Sequence, residues 1–172
     1  MNWGHLLFSP NGRLSKRHYW FGILIIFFGN ILAGLLPIIG GLMSLALIWV
    51  GVAVYGKRLH DVGKSAWLHA VPWGLSLLLT IIGIALFGAT LLDLGLSGRL
   101  EDPQAEEIIS ILTASGGLLL MLTISTLVWV GYTLWLGFKA PEPGDNAYGP
   151  SLVAEQAPAA PAASVGAAPE AE

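Results

Sequence analysis

Three stretches of this chain carry no charged side chain at all: residues 18–56, 65–92 and 108–138. An apolar run of about 18 or more uncharged residues matches the thickness of a bilayer's hydrocarbon core, and a water-soluble surface cannot be built from it. Only 19 of the 172 residues are charged, 11%, against about a quarter in an ordinary soluble domain. A soluble globule, a disordered chain and a coiled coil are therefore excluded. The formal net charge of −3 argues against a nucleic-acid partner. With no cysteine, disulfides, thiolate metal sites and cysteine nucleophiles are out as well.

The first run is too long for one span. It splits at Leu36-Pro37-Ile38-Ile39-Gly40-Gly41, where proline and paired glycines are the expected breakers. The reading is an all-α, integral membrane four-helix bundle with spans near 18–36, 38–56, 66–92 and 103–138. Pro72 sits in the early turns of the third span. Asp102-Pro103 reads as an N-cap followed by proline at the first helical position. Glu106 and Glu107 follow where the helix dipole favours acids. Residues 1–150 form the membrane domain. Residues 151–172 are an Ala/Pro-rich tail expected to be disordered. Residues 1–17 lack an apolar core segment, so the first run is expected to be a retained helix rather than a signal peptide.

Charge placement sets an orientation. Arg13, Lys16, Arg17, Lys57, Arg58, Lys64 and Lys139 fall on one side of a four-span arrangement. Arg99 is alone on the other, among Asp93, Glu101, Asp102, Glu106 and Glu107. The positive-inside rule puts both termini in the cytoplasm. Trp and Tyr cluster toward the same side. That pattern fits interfacial anchoring in one leaflet, or rings that line a cytoplasm-facing pocket.

Three polar segments lie on that side. The first runs from Gly12 to Trp20; Ser15 is placed to cap a helix, and Arg13 and Lys16 to meet lipid phosphates or to snorkel. The second is Lys57-Arg58-Leu59-His60-Asp61-Val62-Gly63-Lys64-Ser65-Ala66-Trp67. If the second helix continues through it, Lys57 and Asp61 pair at i,i+4, and Arg58 and Asp61 at i,i+3. His60 and Asp61, as sequence neighbours, point apart. Gly63 is suited to a left-handed helix end, and Ser65 to a cap. A charged topology-setting turn and a buried polar cluster both remain open here. The third, Pro143 to Pro150, is rich in turn residues, and its Tyr148 suggests that it folds back on the helix ends.

Inside the spans the polar residues are few. Asn30 and Ser44 are placed for interhelical hydrogen bonds, and Ala85 and Ala89 form a small-xxx-small pair. His69 reads as interfacial. His5, His18, His60 and His69 have no metal-ligand spacing, and no P-loop or nucleophile elbow is present, so no metal or cofactor is expected.

The three polar segments together resemble the YhaH-like bacterial inner-membrane proteins grouped as domain of unknown function 805. That family carries Gly-Arg-Ile/Leu-Ser-Arg before an aromatic-Trp pair, as in Gly12 through Trp20. It carries Arg-Arg-Leu-His-Asp followed by Gly, Ser and Trp, as in Lys57 through Leu68. It closes with Gly-x-Asn-x-aromatic-Gly, as in Gly144 through Gly149 with Pro150 adjacent. The likeness covers about residues 7–150. Lys16 and Lys57 stand where arginines are usual, which keeps charge but loses bidentate geometry. Ala66 and Leu68 replace a usual Gly and Trp, and the loop 93–107 and the tail look like additions. The resemblance implies an inner-membrane protein and no assigned activity.

The resulting expectation is a membrane protein without an assigned reaction. Its cytoplasmic face is expected to bind anionic lipid headgroups or a membrane partner, which includes a second copy of the chain. The residues proposed are Arg13, Lys16, Trp20, Arg58, His60, Asp61, Ser65, Trp67, Asn146 and Tyr148, with the two arginines as donors and Asp61 orienting Arg58. Two rivals are a small transporter or transporter subunit, for which the spans offer only scattered Asn, Ser and Thr, and a lipid-modifying enzyme with His60 as general base.

Overall fold

The computed structural model describes residues 3–36, 38–101 and 103–152. Its elements are α1 (Trp3–Phe8), α2 (Lys16–Leu35), α3 (Ile39–Asp61), a 3-10 turn (Ala66–His69), α4 (Ala70–Leu96) and α5 (Ala105–Phe138). Four helical segments, Lys16–Leu35, Ile39–Asp61, Ala66–Leu96 and Ala105–Phe138, are long and apolar enough to cross a membrane. At 1.5 Å per residue the 20 residues of α2 reach about 30 Å, one hydrocarbon thickness. The 34 residues of α5 reach about 50 Å, so this helix projects or tilts. The chain is an all-α, multi-pass membrane protein.

The helix limits differ from the sequence expectation in ways that matter. Gly40 and Gly41 lie inside α3, not in the turn; Pro37 is outside the described residues. The second span runs on to Asp61, so Lys57 to Asp61 are its last turn. The fourth does not begin at Asp102-Pro103. Its N-cap is Gln104, whose side chain and that of Glu107 form a reciprocal capping box. Asp102, like the tail from residue 153, is outside the described residues. The first helix, α1, was not anticipated, because six residues are too few to show an apolar period.

The helices pair as two antiparallel hairpins, α2 with α3 and α4 with α5. Apolar transfer does not drive helices together in lipid, so close approach of backbones does. The side chain of Val54 covers Gly22, Leu47 covers Gly29, and Leu118 of α5 covers Gly83 of α4. Between hairpins the packing is uneven. Among the described residues, no Cα of α4 comes within 8 Å of α2 or α3. The buried core, which includes Leu6, Leu14, Tyr19, Tyr55, Leu59 and Leu136, gathers at the end that carries α1, the end of α3 and the end of α5. We call this end the base. The hairpins are joined there and stand apart toward the other end.

Candidate functional site

The three polar sequence segments meet at the base. Asp61, at the end of α3, is the hub. One carboxylate oxygen accepts from Arg13 Nε at 3.1 Å and the other from Arg58 Nη1. The side chains of Arg13, Arg58 and Asp61 are each at most 1% exposed. Breaking one partner out of a buried ion pair costs about 3–5 kcal/mol, so this triad is a strong structural constraint.

The guanidiniums do more than pair with a carboxylate. Arg13 also donates from Nη1 to Gly144 O at 2.7 Å, and from Nη2 to Glu142 O at 2.7 Å and Asp61 O at 3.4 Å. Arg58 donates from Nε to Leu136 O at 3.1 Å, from Nη1 to Leu14 O at 3.5 Å, and from Nη2 to Lys139 O. An arginine carries five N–H donors in a rigid fork. Here four of the two arginines' eight hydrogen bonds go to the end of α5 and the segment that follows it.

This explains why so many cations sit at one end. The C-termini of α1, α3 and α5 all point to the base, and each presents unsatisfied carbonyls and a partial negative charge. Arg58 covers the end of α5. Lys57 Nζ, almost fully buried, donates to His5 O and Leu6 O at 2.6 Å each and so covers the end of α1.

The segment after α5 folds back as the turn chemistry suggested. Glu142 N donates to Asp61 O at 2.7 Å, and Asn146 Nδ2 to His60 O at 3.0 Å and Glu142 Oε2 at 2.8 Å. Asn146 and Gly149 exchange backbone hydrogen bonds across a tight turn. The His60 ring stacks on Tyr148 with centroids 3.8 Å apart, and its Nδ1 faces Gly12 O at 3.1 Å. Gly63 takes φ +71°, with the Glu142 carboxylate packed where a Cβ would stand.

The second and third segments lie within the stretch that decides the family. Residues 32–150, well over half of the chain, match the model of a protein family of unknown function, DUF805. The chain belongs to the DUF805 family. No curated protein and no solved structure was found to match it.

In this DUF805 protein the structure therefore brings Arg13, Arg58, His60, Asp61, Asn146 and Tyr148 into one cluster. Trp20 packs beside it, its indole over Gly137 and 5.6 Å from the Phe138 ring. Ser65 and Trp67 lie apart. Ser65 Oγ accepts from Trp67 N at 3.3 Å and caps the 3-10 turn, and the Trp67 ring is 84% exposed. Lys16 is exposed at the start of α2. With Ser15, Arg17 and His18 it lines a depression of about 580 Å3 that reaches Asp61 and Pro141. Among the described residues neither Lys16 nor Arg17 makes an ion pair; Arg17 lies over the Phe21 ring at 5.9 Å. Ser15 Oγ is engaged by His18 Nδ1 at 2.8 Å and does not cap α2.

Sequence reasoning missed the carbonyl acceptors and the role of Glu142. It also left open an aromatic layer above the cluster. Tyr19 and Tyr55 hydroxyls reach Thr133, at its carbonyl oxygen (3.1 Å) and its hydroxyl (2.7 Å). The His69 ring stacks on Tyr55, and Trp129 stands edge-on to both. Trp73 Nε1 donates to His69 Nε2 at 3.3 Å. An indole only donates, so the ring proton is left on His69 Nδ1, facing Tyr132 Oη at 3.3 Å.

The rival readings fare differently. His60 is held by a carbonyl and a tyrosine ring, and among the described residues no carboxylate is bonded to it. Ser115, Thr123 and Thr126 hydroxyls bond the carbonyls of their own helix four residues back, at 2.7, 2.8 and 2.9 Å, and so do not line a polar path. Among the described residues no three His, Asp or Glu side chains are placed to hold a metal ion.

Proposed function

We propose that this protein is a bacterial inner-membrane lipid-binding component, with both termini in the cytoplasm, whose base seats the phosphate of an anionic phospholipid. The supporting observation is the free cationic rim: Lys16 and Arg17 are exposed and without an ion pair among the described residues, beside a depression of about 580 Å3. Both sit on the first turn of a helix that supplies unsatisfied N–H groups. At the edge of an apolar span such cations meet lipid headgroups.

The ten residues proposed from the sequence divide into three groups in this reading. Lys16 contacts the headgroup, and Trp20 anchors α2 at the same level. Arg13, Arg58, Asp61, His60, Asn146 and Tyr148 hold the depression in shape, since their hydrogen bonds are internal. Ser65 and Trp67 serve the α3–α4 junction and the interface.

Native mass spectrometry of the purified chain tests the headgroup site. Lys16→Ala with Arg17→Ala is expected to lower retained anionic phospholipid several-fold relative to zwitterionic lipid. Unchanged retention removes the proposal, and retention of a co-purifying protein instead of lipid turns it toward a protein partner.

Orientation has its own test, made clean by the lack of native cysteine. Ser97→Cys is expected to react with an impermeant maleimide added to intact spheroplasts, and Ser151→Cys only after permeabilisation. The reverse pattern overturns the topology.

A further inference from the structure

A second site lies between the hairpins, independent of the cationic rim. The space left where they stand apart is a continuous cleft. An opening of about 590 Å3 lies between α2 and α5, one of about 470 Å3 lies between α3 and the start of α4, and a central cavity of about 290 Å3 shares lining residues with both. The α2–α5 mouth is lined by residues of the apolar spans, and the other opens beside Trp67 at the start of the third span, so an occupant enters from the lipid phase or its edge. No Asp, Glu, Lys or Arg lines any part of it.

The central cavity nevertheless contains polar atoms that make no hydrogen bond among the described residues. Asn30 lies five residues before the end of α2, and Ser44 five residues after the start of α3. In an antiparallel hairpin they stand at one depth, about 7–8 Å from the helix ends. They do not bond each other. Asn30 Nδ2 turns back to Ile26 O at 2.8 Å, and among the described residues its carboxamide oxygen and second N–H make no hydrogen bond. Ser44 Oγ makes no hydrogen bond among the described residues. Hydrocarbon offers such groups nothing, and leaving them unpaired is costly. The other walls include the rings of Tyr55, Trp73 and Trp129.

We propose that this cleft binds a neutral membrane lipid with a flat, carbonyl-bearing ring, of the quinone type. The absence of charge in the lining selects an uncharged head. Ser44 and Asn30 donate to and accept from its oxygens, and the aromatic walls meet the face of a ring better than a flexible glycerol head. A central volume of about 290 Å3 is at the small end of ligand cavities and suits one ring, with the tail leaving through the α2–α5 opening.

Calorimetric titration of the purified full chain with decylbenzoquinone tests this, with dioctanoylglycerol as the neutral lipid without a ring. Saturable binding of the quinone is expected. Ser44→Ala with Asn30→Leu is expected to weaken it about tenfold, the worth of two neutral hydrogen bonds. Gly51 lines the cavity and a Cβ there meets no atom within 4 Å, so Gly51→Leu is expected to fill the space and abolish binding. Lys16→Ala with Arg17→Ala is expected to leave quinone binding unchanged, which separates this site from the headgroup site. Absence of saturable binding, equal binding of dioctanoylglycerol, or wild-type affinity in the double variant overturns the proposal. The double variant carries the test if Gly51→Leu does not fold.

Discussion

Asp61→Ala is expected to be the most damaging single substitution at the base, lowering stability by about 3–5 kcal/mol. The carboxylate is the shared counter-charge of two guanidiniums that are essentially out of solvent. Removing it leaves two buried cations with only carbonyl dipoles to face. The order among variants is informative. Arg58→Met leaves Asp61 still paired with Arg13, one charge against one, so it is expected to cost less than Asp61→Ala even though it frees the carbonyls of Leu136 and Lys139. Asp61→Asn keeps an acceptor but not the charge, and is expected to fall between the wild type and Asp61→Ala. Thermal unfolding in detergent ranks them, and limited proteolysis reports whether residues 140–151 come loose, since Arg13 ties that segment down through Glu142 O and Gly144 O. If Asp61→Ala melts with the wild type, the triad is not what joins the hairpins.

The part of this fold that was readable in the sequence is the part written in side-chain type. Charge-free runs locate four helices because charges are costly at membrane depth. His60 and Asp61 were expected to point apart, and they do: one faces Gly12 O and Tyr148, the other the two arginines. The basic residues looked like topology signals, and the geometry adds a second role, covering the carbonyl ends of α1 and α5. That role left no trace in the sequence. The acceptors for Arg13, Arg58 and Lys57 are mostly backbone carbonyls up to 131 positions away, and every residue has a carbonyl. The aromatic layer was legible as a one-sided enrichment. Its hydrogen-bond direction, Trp73 to His69 to Tyr132, was not: His69 and Trp73 are four residues apart on one helical segment, but the step to Tyr132 depends on that segment meeting α5.

The paired glycines Gly40 and Gly41 show how the same residue type hides two different jobs, and they carry the second large prediction. Both were expected to break the helix, and both are inside α3. Gly40 lies against the end of α2, where a Cβ would run into the backbone carbonyl of Ala33. A Cβ on Gly41 meets nothing within 4 Å. The obstruction at Gly40 is backbone, not the end of a flexible side chain, so it cannot be relieved by a rotamer change. Gly40 N also donates to Leu36 O at 2.8 Å, which holds the turn closed. Gly40→Ala is therefore expected to pry the α2–α3 hairpin open at a cost of about 1–3 kcal/mol, the range for overpacking, or more if the turn does not yield. Gly41→Ala is expected to stabilise by up to about 1 kcal/mol, the helix-propensity gain of alanine over glycine. Thermal midpoints of the two variants in the same detergent should move in opposite directions. Equal shifts would mean that the close approach of α2 and α3 at this point does not contribute to stability, and that the turn alone sets the hairpin.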